Sequence, residues 1–277
     1  VFDNIYDLPI ATLALLAAIV FVGSYWAGCV LLRPVLRIFV RSKGGENAIV
    51  GTVLSAFGVF YGLLLSLIAV AAYQNLNQVS VDAANEAAAL LALYRDVSEF
   101  PAPHNSLLCP LLREYCRYSI EEEWPVQRKG IVPFGANVKL APIRKGLLDF
   151  EPTTHRDEML HAEAFKHFEV LLENGRHRRF AAQTGIPTVM WYVVIVGTII
   201  NFALMWLFEM RFVSQLFLGG LLAFFLGALI LLIAVLDRPY RSGQYGVSPE
   251  AHQLVYKVMM RDEASVSVQG SGAEGGR

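Results

Sequence analysis

Four stretches of this chain carry no Asp, Glu, Lys or Arg: Leu8–Leu32, Asn47–Val81, Phe180–Phe208 and Phe212–Leu236. A hydrocarbon core about 30 Å thick takes about 20 helical residues at about 1.5 Å each, so every one is long enough to cross a bilayer. Leaving so much apolar chain in water would cost roughly 25 cal/mol per Å² exposed. The pattern predicts an all-α integral membrane protein with four transmembrane helices. The second stretch would make a helix of roughly 50 Å, longer than the membrane is thick. Its end, Tyr73-Gln74-Asn75-Leu76-Asn77-Gln78, is polar without being charged. A helix that spans the bilayer and keeps going is a natural wall for a pore.

Between the spans the pattern predicts helices in water. The first span ends at Arg33-Pro34, followed by a basic loop with Arg37, Arg41 and Lys43. The second begins near Asn47 and runs into Val79-x-x-x-Ala83-x-x-Glu86-x-x-x-Leu90-x-x-Leu93, apolar positions at helical spacing. With no Gly or Pro from Leu63 to Glu99, one continuous helix is expected, stopped by Pro101 and Pro103. A second aqueous helix is expected over 106–124 and a third over 154–184. Residues 126–153 hold Gly130, Pro133, Gly135, Pro142, Gly146 and Pro152 and read as a loop or short elements. Residues 1–73 thus form one membrane hairpin (helices about 8–32 and 47–73), 74–186 a helical aqueous domain and 187–236 a second hairpin, turned by Glu209-Met210-Arg211. Residues 237–277 are expected to be a tail, Ser- and Gly-rich and disordered at its end.

Composition narrows the function. Hydrophobic residues are 55% and charged residues 17% of the chain, against about 25% charged in soluble domains. A net charge of −1 offers no basic excess for a nucleic-acid partner. The first seven residues are acidic where a secretory signal would be basic, so the first span is expected to be retained as a helix. Cys109 and Cys116 are seven apart on one helix, roughly 10 Å, too far to bridge. Free thiols are expected, in keeping with a reducing compartment. His155, His161, His167 and His177 scatter around one helix rather than sharing a metal-binding face. No phosphate-cradling glycine loop or Gly-x-Ser-x-Gly elbow occurs. No enzyme activity, cofactor or metal is expected.

The second span carries the candidate residues. Gly51, Ser55, Gly58, Gly62, Ser66 and Ala69 recur at spacings of three and four, a face that lets helix backbones approach. Beside it lie Val53, Phe57, Phe60 and Tyr61, which either pack against neighbours or, ringed around a symmetry axis, form a hydrophobic constriction. Glu86, Glu122 and Glu123 are either vestibule acids that favour cations or structural charges, one of them paired to an arginine. For Arg178 and Arg179 at the membrane boundary, contact with headgroups is expected.

The run Ser55-Ala56-Phe57-Gly58-Val59-Phe60-Tyr61-Gly62, continuing through Ser66 to Tyr73-Gln74-Asn75, resembles the second helix of bestrophin channels. Asp237-Arg238-Pro239-Tyr240-Arg241-Ser242-Gly243 is similar to the bestrophin segment after the last membrane helix. Asn85–Leu90, Leu93-Tyr94-Arg95-Asp96, Glu122-Glu123-Trp124-Pro125, Arg178-Arg179-Phe180 and Ile186-Pro187 resemble the bacterial bestrophin-like domain family over nearly the whole chain. The resemblance implies a homopentamer around one ion pathway in the inner (plasma) membrane, with the aqueous helices and both termini cytoplasmic. Charge alone leaves orientation tied, with five basic residues near the membrane on each side. By position, the resemblance maps the pore neck to Val53, Phe57 and either Phe60 or Tyr61; Gln74, Asn75 and Gln78, where the long helix leaves the membrane, either sit at the pore mouth or mark the headgroup boundary. Bestrophins of animals follow the last span with acids that hold calcium. Here Arg241–Gly246 contains no carboxylate, so no calcium site is expected, and Asp237 is expected at a helix end or paired near Arg238. The expected partners are the lipid bilayer, further copies of the chain and inorganic ions. The alternative is a non-conducting oligomeric scaffold or sensor that binds a partner through its cytoplasmic helices.

Overall fold

The structure, a computed structural model, describes residues 9–32, 46–240 and 246–274, with backbone only for residue 46 and residues 265–274. The basic loop after the first span, Arg241 to Tyr245 and the first seven residues lie outside the described residues. Every regular element among the described residues is a helix. In chain order these are α1 (Ile10–Leu31), α2 (Glu46–Ser98), α3 (His104–Tyr118), a π-helical turn (Ser119–Glu123), α4 (Trp124–Arg128), α5 (Ala136–Leu148), α6 (His155–Phe180), α7 (Thr188–Leu207), α8 (Phe212–Leu236) and α9 (Glu250–Glu274). Helices α1, α2, α7 and α8 are long and apolar enough to cross a membrane. The chain divides into two compact units, residues 1–75 with 185–238 and residues 76–184 with 239–277.

In the first unit α1, α7, α8 and the first part of α2 bury aromatic rings against glycines. Tyr25 of α1 is fully buried, and a Cβ on Gly219 of α8 would come within 2.0 Å of its ring. Trp206 of α7 lies in the same way over Gly28, and Phe21 over Gly227. Apolar burial alone does not hold helices together in lipid, so close approach at small residues supplies the contact. Asn47 clasps the α7–α8 turn, its Nδ2 donating to the Glu209 carbonyl at 3.0 Å and its Oδ1 accepting from the Glu209 N–H at 2.9 Å. Asp237 sits at the end of α8 as expected. It accepts the Ile186 N–H and lies 4.0 Å from Arg238.

The second unit is a helical globule with its own apolar core. The periodic stripe of α2 is its spine: Val79, Ala83, Glu86, Leu90 and Leu93 are all 3% exposed or less. Leu90 and Leu93 share a core with Leu112 and Tyr115 of α3, Ile143 and Leu147 of α5, Phe168 and Leu171 of α6, and Met259 of α9, while Val79 and Ala83 pack with Trp124, Ala181 and Tyr240. α2 runs unbroken to Ser98, as its sequence predicts. α6 opens with a capping box, Thr154 Oγ1 accepting the Asp157 N–H at 3.2 Å while Asp157 accepts the Thr154 N–H at 3.1 Å.

Of the two readings of the stretch 126–153, short elements is the one that holds: α4 ends in it, and α5 forms through Pro142 and Gly146. Leu140, Ile143 and Leu147 share one buried face, and tertiary burial outweighs the local breakers. One expectation is corrected: among the described residues of 237–277, Glu250–Glu274 is helix, not a disordered tail. α9 seats Val255 and Met259 in the second unit's core and continues as helix to Glu274, past the Ser-rich stretch.

Candidate ion pathway and buried charge cluster

The membrane part of α2 has a closed face and an open one. Tyr61, Leu65, Ile68 and Ala72, at 4% exposure or less, close the bundle. The Tyr61 hydroxyl donates to the Val194 carbonyl at 2.8 Å and lies 2.7 Å from Thr198 Oγ1, and its ring fills the space beside Gly197. Phe57 stacks on Tyr61 with centroids 5.9 Å apart and is half-buried. The four-residue spacing that relates Tyr61 to Phe57 therefore places both on the bundle side. Of the two alternatives for the neck, Phe60 is the open one, 72% exposed against 4% for Tyr61. Val53, seven residues before Phe60, is exposed on the same flank, and Val59 and Leu63 continue the open face.

The small-residue face is also uncovered. Nothing lies within 4 Å of a Cβ built on Gly58 or Gly62, and Ser55 and Ser66 are exposed. Gly51 alone makes an ordinary contact, with the Phe208 ring at 3.5 Å. The expected helix packing at Gly58 and Gly62 is thus not made among the described residues. Among the amides expected at the mouth, Gln74 is exposed, Asn75 half-buried, and Gln78 Nε2 donates to Asp82 Oδ1 at 2.9 Å.

Of the two readings of the candidate acids, Glu86 and Glu123 follow the one that makes them structural charges paired to an arginine. Glu86 and Glu123 are completely buried in the second unit, around Arg178, which is also completely buried. Arg178 donates from Nε to Glu86 Oε2, from Nη2 to Glu123 Oε2 at 2.6 Å and Ser119 Oγ at 3.1 Å, and from Nη1 to Gln127 Oε1 at 2.7 Å. Its guanidinium lies 5.2 Å from the centre of the Trp124 ring. The Tyr115 hydroxyl donates to Glu86 Oε1 at 2.8 Å, and His252 Nε2 stands 3.5 Å from Glu86 Oε2. The π turn at Ser119–Glu123 sets Ser119 and Glu123 on the guanidinium, and of the candidates Glu86, Glu122 and Glu123 only Glu122 remains exposed. Arg178 does not reach for headgroups, because both of its acidic partners are inside.

Electrostatics follow from that geometry. Burial pushes the Glu86 carboxyl up, but Arg178 and His252 outweigh it and hold the acid below its ordinary range. Burial works against the Arg178 charge, yet Glu86 and Glu123 raise its pKa well above normal. Burial, with Glu86 adding, pushes the Cys116 thiol up to about 12. The three cysteines are free, and Cys116 is fully buried. In folded protein at neutral pH a thiol reagent is expected to leave Cys116 unmodified until denaturant is added, as peptide mass mapping would show. Modification of Cys116 before Cys109 would contradict this burial.

A four-span helical bundle joined through a continuous helix to a helical globule with a buried ion cluster defines an all-helical membrane protein. A family model described as the bestrophin-like domain matches residues 17–252, and the chain belongs to that family. No curated protein sequence matches the chain. Among solved structures it is similar to two single-substitution variants of a bacterial bestrophin homologue from Klebsiella pneumoniae, at TM-scores of 0.56 and 0.55 and 13% identity. A variant of a protein described as a membrane protein is similar at a TM-score of 0.54 and 13% identity. In each case 90% of this chain and 96% of the other are covered, and the likeness is one of fold.

Proposed function

We propose that the protein is an ion channel, a homopentamer in the plasma membrane with α2 innermost and the second unit and both termini cytoplasmic. It conducts ions passively and catalyses no reaction. The observation that carries the proposal is the open face of α2. One side of the helix closes the chain's own bundle through Tyr61, Leu65 and Ile68, while Val53, Val59, Phe60 and Leu63 are left uncovered in the same span. In a ring of copies, that apolar part forms a constriction gated by wetting, and the small flank at Gly58 and Gly62 receives the neighbouring helix.

Purified protein in planar bilayers is expected to conduct, and Phe60→Ala to raise open-state conductance by widening the constriction. Cysteines at Val59, Phe60 and Leu63 are expected to react with water-soluble thiol reagents, whereas Cys at Leu65 stays protected. Silence across ions, lipids and voltages, with open-face cysteines reached only by lipid-phase probes, would overturn the channel and leave the scaffold.

A further inference from the structure

A cavity of about 450 Å³ opens on the second unit between the segment leading into α5 and the last turn of α6. Two arginines line it, Arg176 and Arg179, together with Asn137, Phe134 and Phe180, and no carboxylate does. Arg179 is 8% exposed. Its Nη1 donates to the Tyr115 hydroxyl at 3.4 Å and stands 3.9 Å from Glu123 Oε1. Its Nε and Nη2 have no acceptor among the described residues. Arg176 is exposed and has no acidic partner among the described residues. The buried cluster balances itself, with Glu86 and Glu123 against Arg178 and Arg179, so the charge of Arg176 is left over at the cavity.

Backbone donors point to the same place. α5 is 13 residues long and begins without a side-chain cap. The Val138 and Lys139 N–H groups donate back to the Gly135 carbonyl, but those of Ala136 and Asn137 have no acceptor among the described residues. Ala136 and Asn137 both line the cavity. Free N–H groups at the positive end of a helix, on a cavity that two arginines also line, match an oxyanion with several acceptor oxygens better than a single-atom ion. Phe134 and Phe180, 86% and 57% exposed, provide an apolar rim for whatever the oxyanion is attached to.

We propose that this cavity binds a phosphate group, as the headgroup of an anionic lipid or as a soluble organic phosphate, through Arg176, Arg179, the Asn137 amide and the first N–H groups of α5. The site uses no residue of α2 and stands whether or not the protein conducts. The test uses full-length protein in neutral detergent, titrated separately with inorganic pyrophosphate and with phosphatidic acid in mixed micelles, against phosphatidylcholine micelles at equal ionic strength. Arg176→Gln removes an exposed charge that pairs with nothing inside, so the fold is kept. Saturable binding is expected, with the dissociation constant raised about tenfold or more by Arg176→Gln. Saturation by pyrophosphate assigns a soluble phosphate, and saturation by phosphatidic acid alone assigns a lipid headgroup. No saturation with either probe, or equal affinity in wild type and Arg176→Gln, would overturn the site.

Discussion

Replacing Arg178 by Met is expected to unfold the second unit. The guanidinium is completely buried, and its loss leaves the Glu86 carboxylate without its arginine and Glu123 with only the more distant Arg179, 3.9 Å away. Removing one partner of a buried ion pair costs about 3–5 kcal/mol, a large part of the roughly 5–15 kcal/mol that holds a typical domain together. Here two acids lose their nearest cation at once. Limited proteolysis of purified protein should cut the Arg178→Met second unit under conditions where wild type resists. Adding Glu86→Gln and Glu123→Gln should restore part of the resistance, since the stranded charges are then gone. Wild-type resistance in Arg178→Met alone would show that the ion cluster is not formed.

The same cluster sets an acid limit. The folded pKa of Glu86 is depressed from its ordinary value of 4.5, so its stabilising contribution is fully present above that value. It is lost as pH falls below that value towards the folded one. Wild type is therefore expected to lose stability on acidification below about pH 4.5 more steeply than Glu86→Gln, as melting temperatures across pH would reveal. Parallel curves would exclude Glu86 as the source.

How far all this is legible in the sequence depends on whether a signal is local. The four spans and the reach of α2 to Ser98 follow from uncharged runs and the absence of breakers. Those patterns need no knowledge of neighbours. Glu86 could have been placed too. It sits in register with Val79, Ala83, Leu90 and Leu93 on an otherwise apolar stripe, and an acid there is buried and must find a cation. Which cation it finds depends on a contact 92 residues away, and no local pattern encodes that. His252 and Gln127 join the cluster in the same way, through helices that meet only in the folded chain. Pro142 and Gly146 mislead in the opposite direction. They weaken α5 locally, while the burial of Ile143 and Leu147 that sustains it is a tertiary effect.

The rotation of α2 about its axis decides which residues can face a pathway, and a paired substitution at Tyr61 and Gly197 reads that rotation. A Cβ on Gly197 would meet Tyr61 ring carbons at 2.2 and 2.6 Å, and Tyr61, held by Val194 and Thr198, has nowhere to retreat. Gly197→Leu is expected to destabilise the bundle by about 1–3 kcal/mol, as overpacking commonly does. Tyr61→Ala opens a hole and should cost about 3–5 kcal/mol, in the range of buried aromatic truncations. The double variant should cost less than the sum, because the leucine side chain enters the space the ring has left. A coupling of about 1–3 kcal/mol is expected between residues in such contact. Thermal unfolding in detergent, followed by exposure of the buried Cys29, would measure all four corners of the cycle. Strict additivity would mean that Tyr61 does not pack on α7 in the native protein. The ring would then be free to join Phe57 at the neck, and Val53 and Phe60 would lose their place on the open face. A strong coupling keeps Tyr61 inside the bundle and leaves Phe60 as the open one of the two neck alternatives.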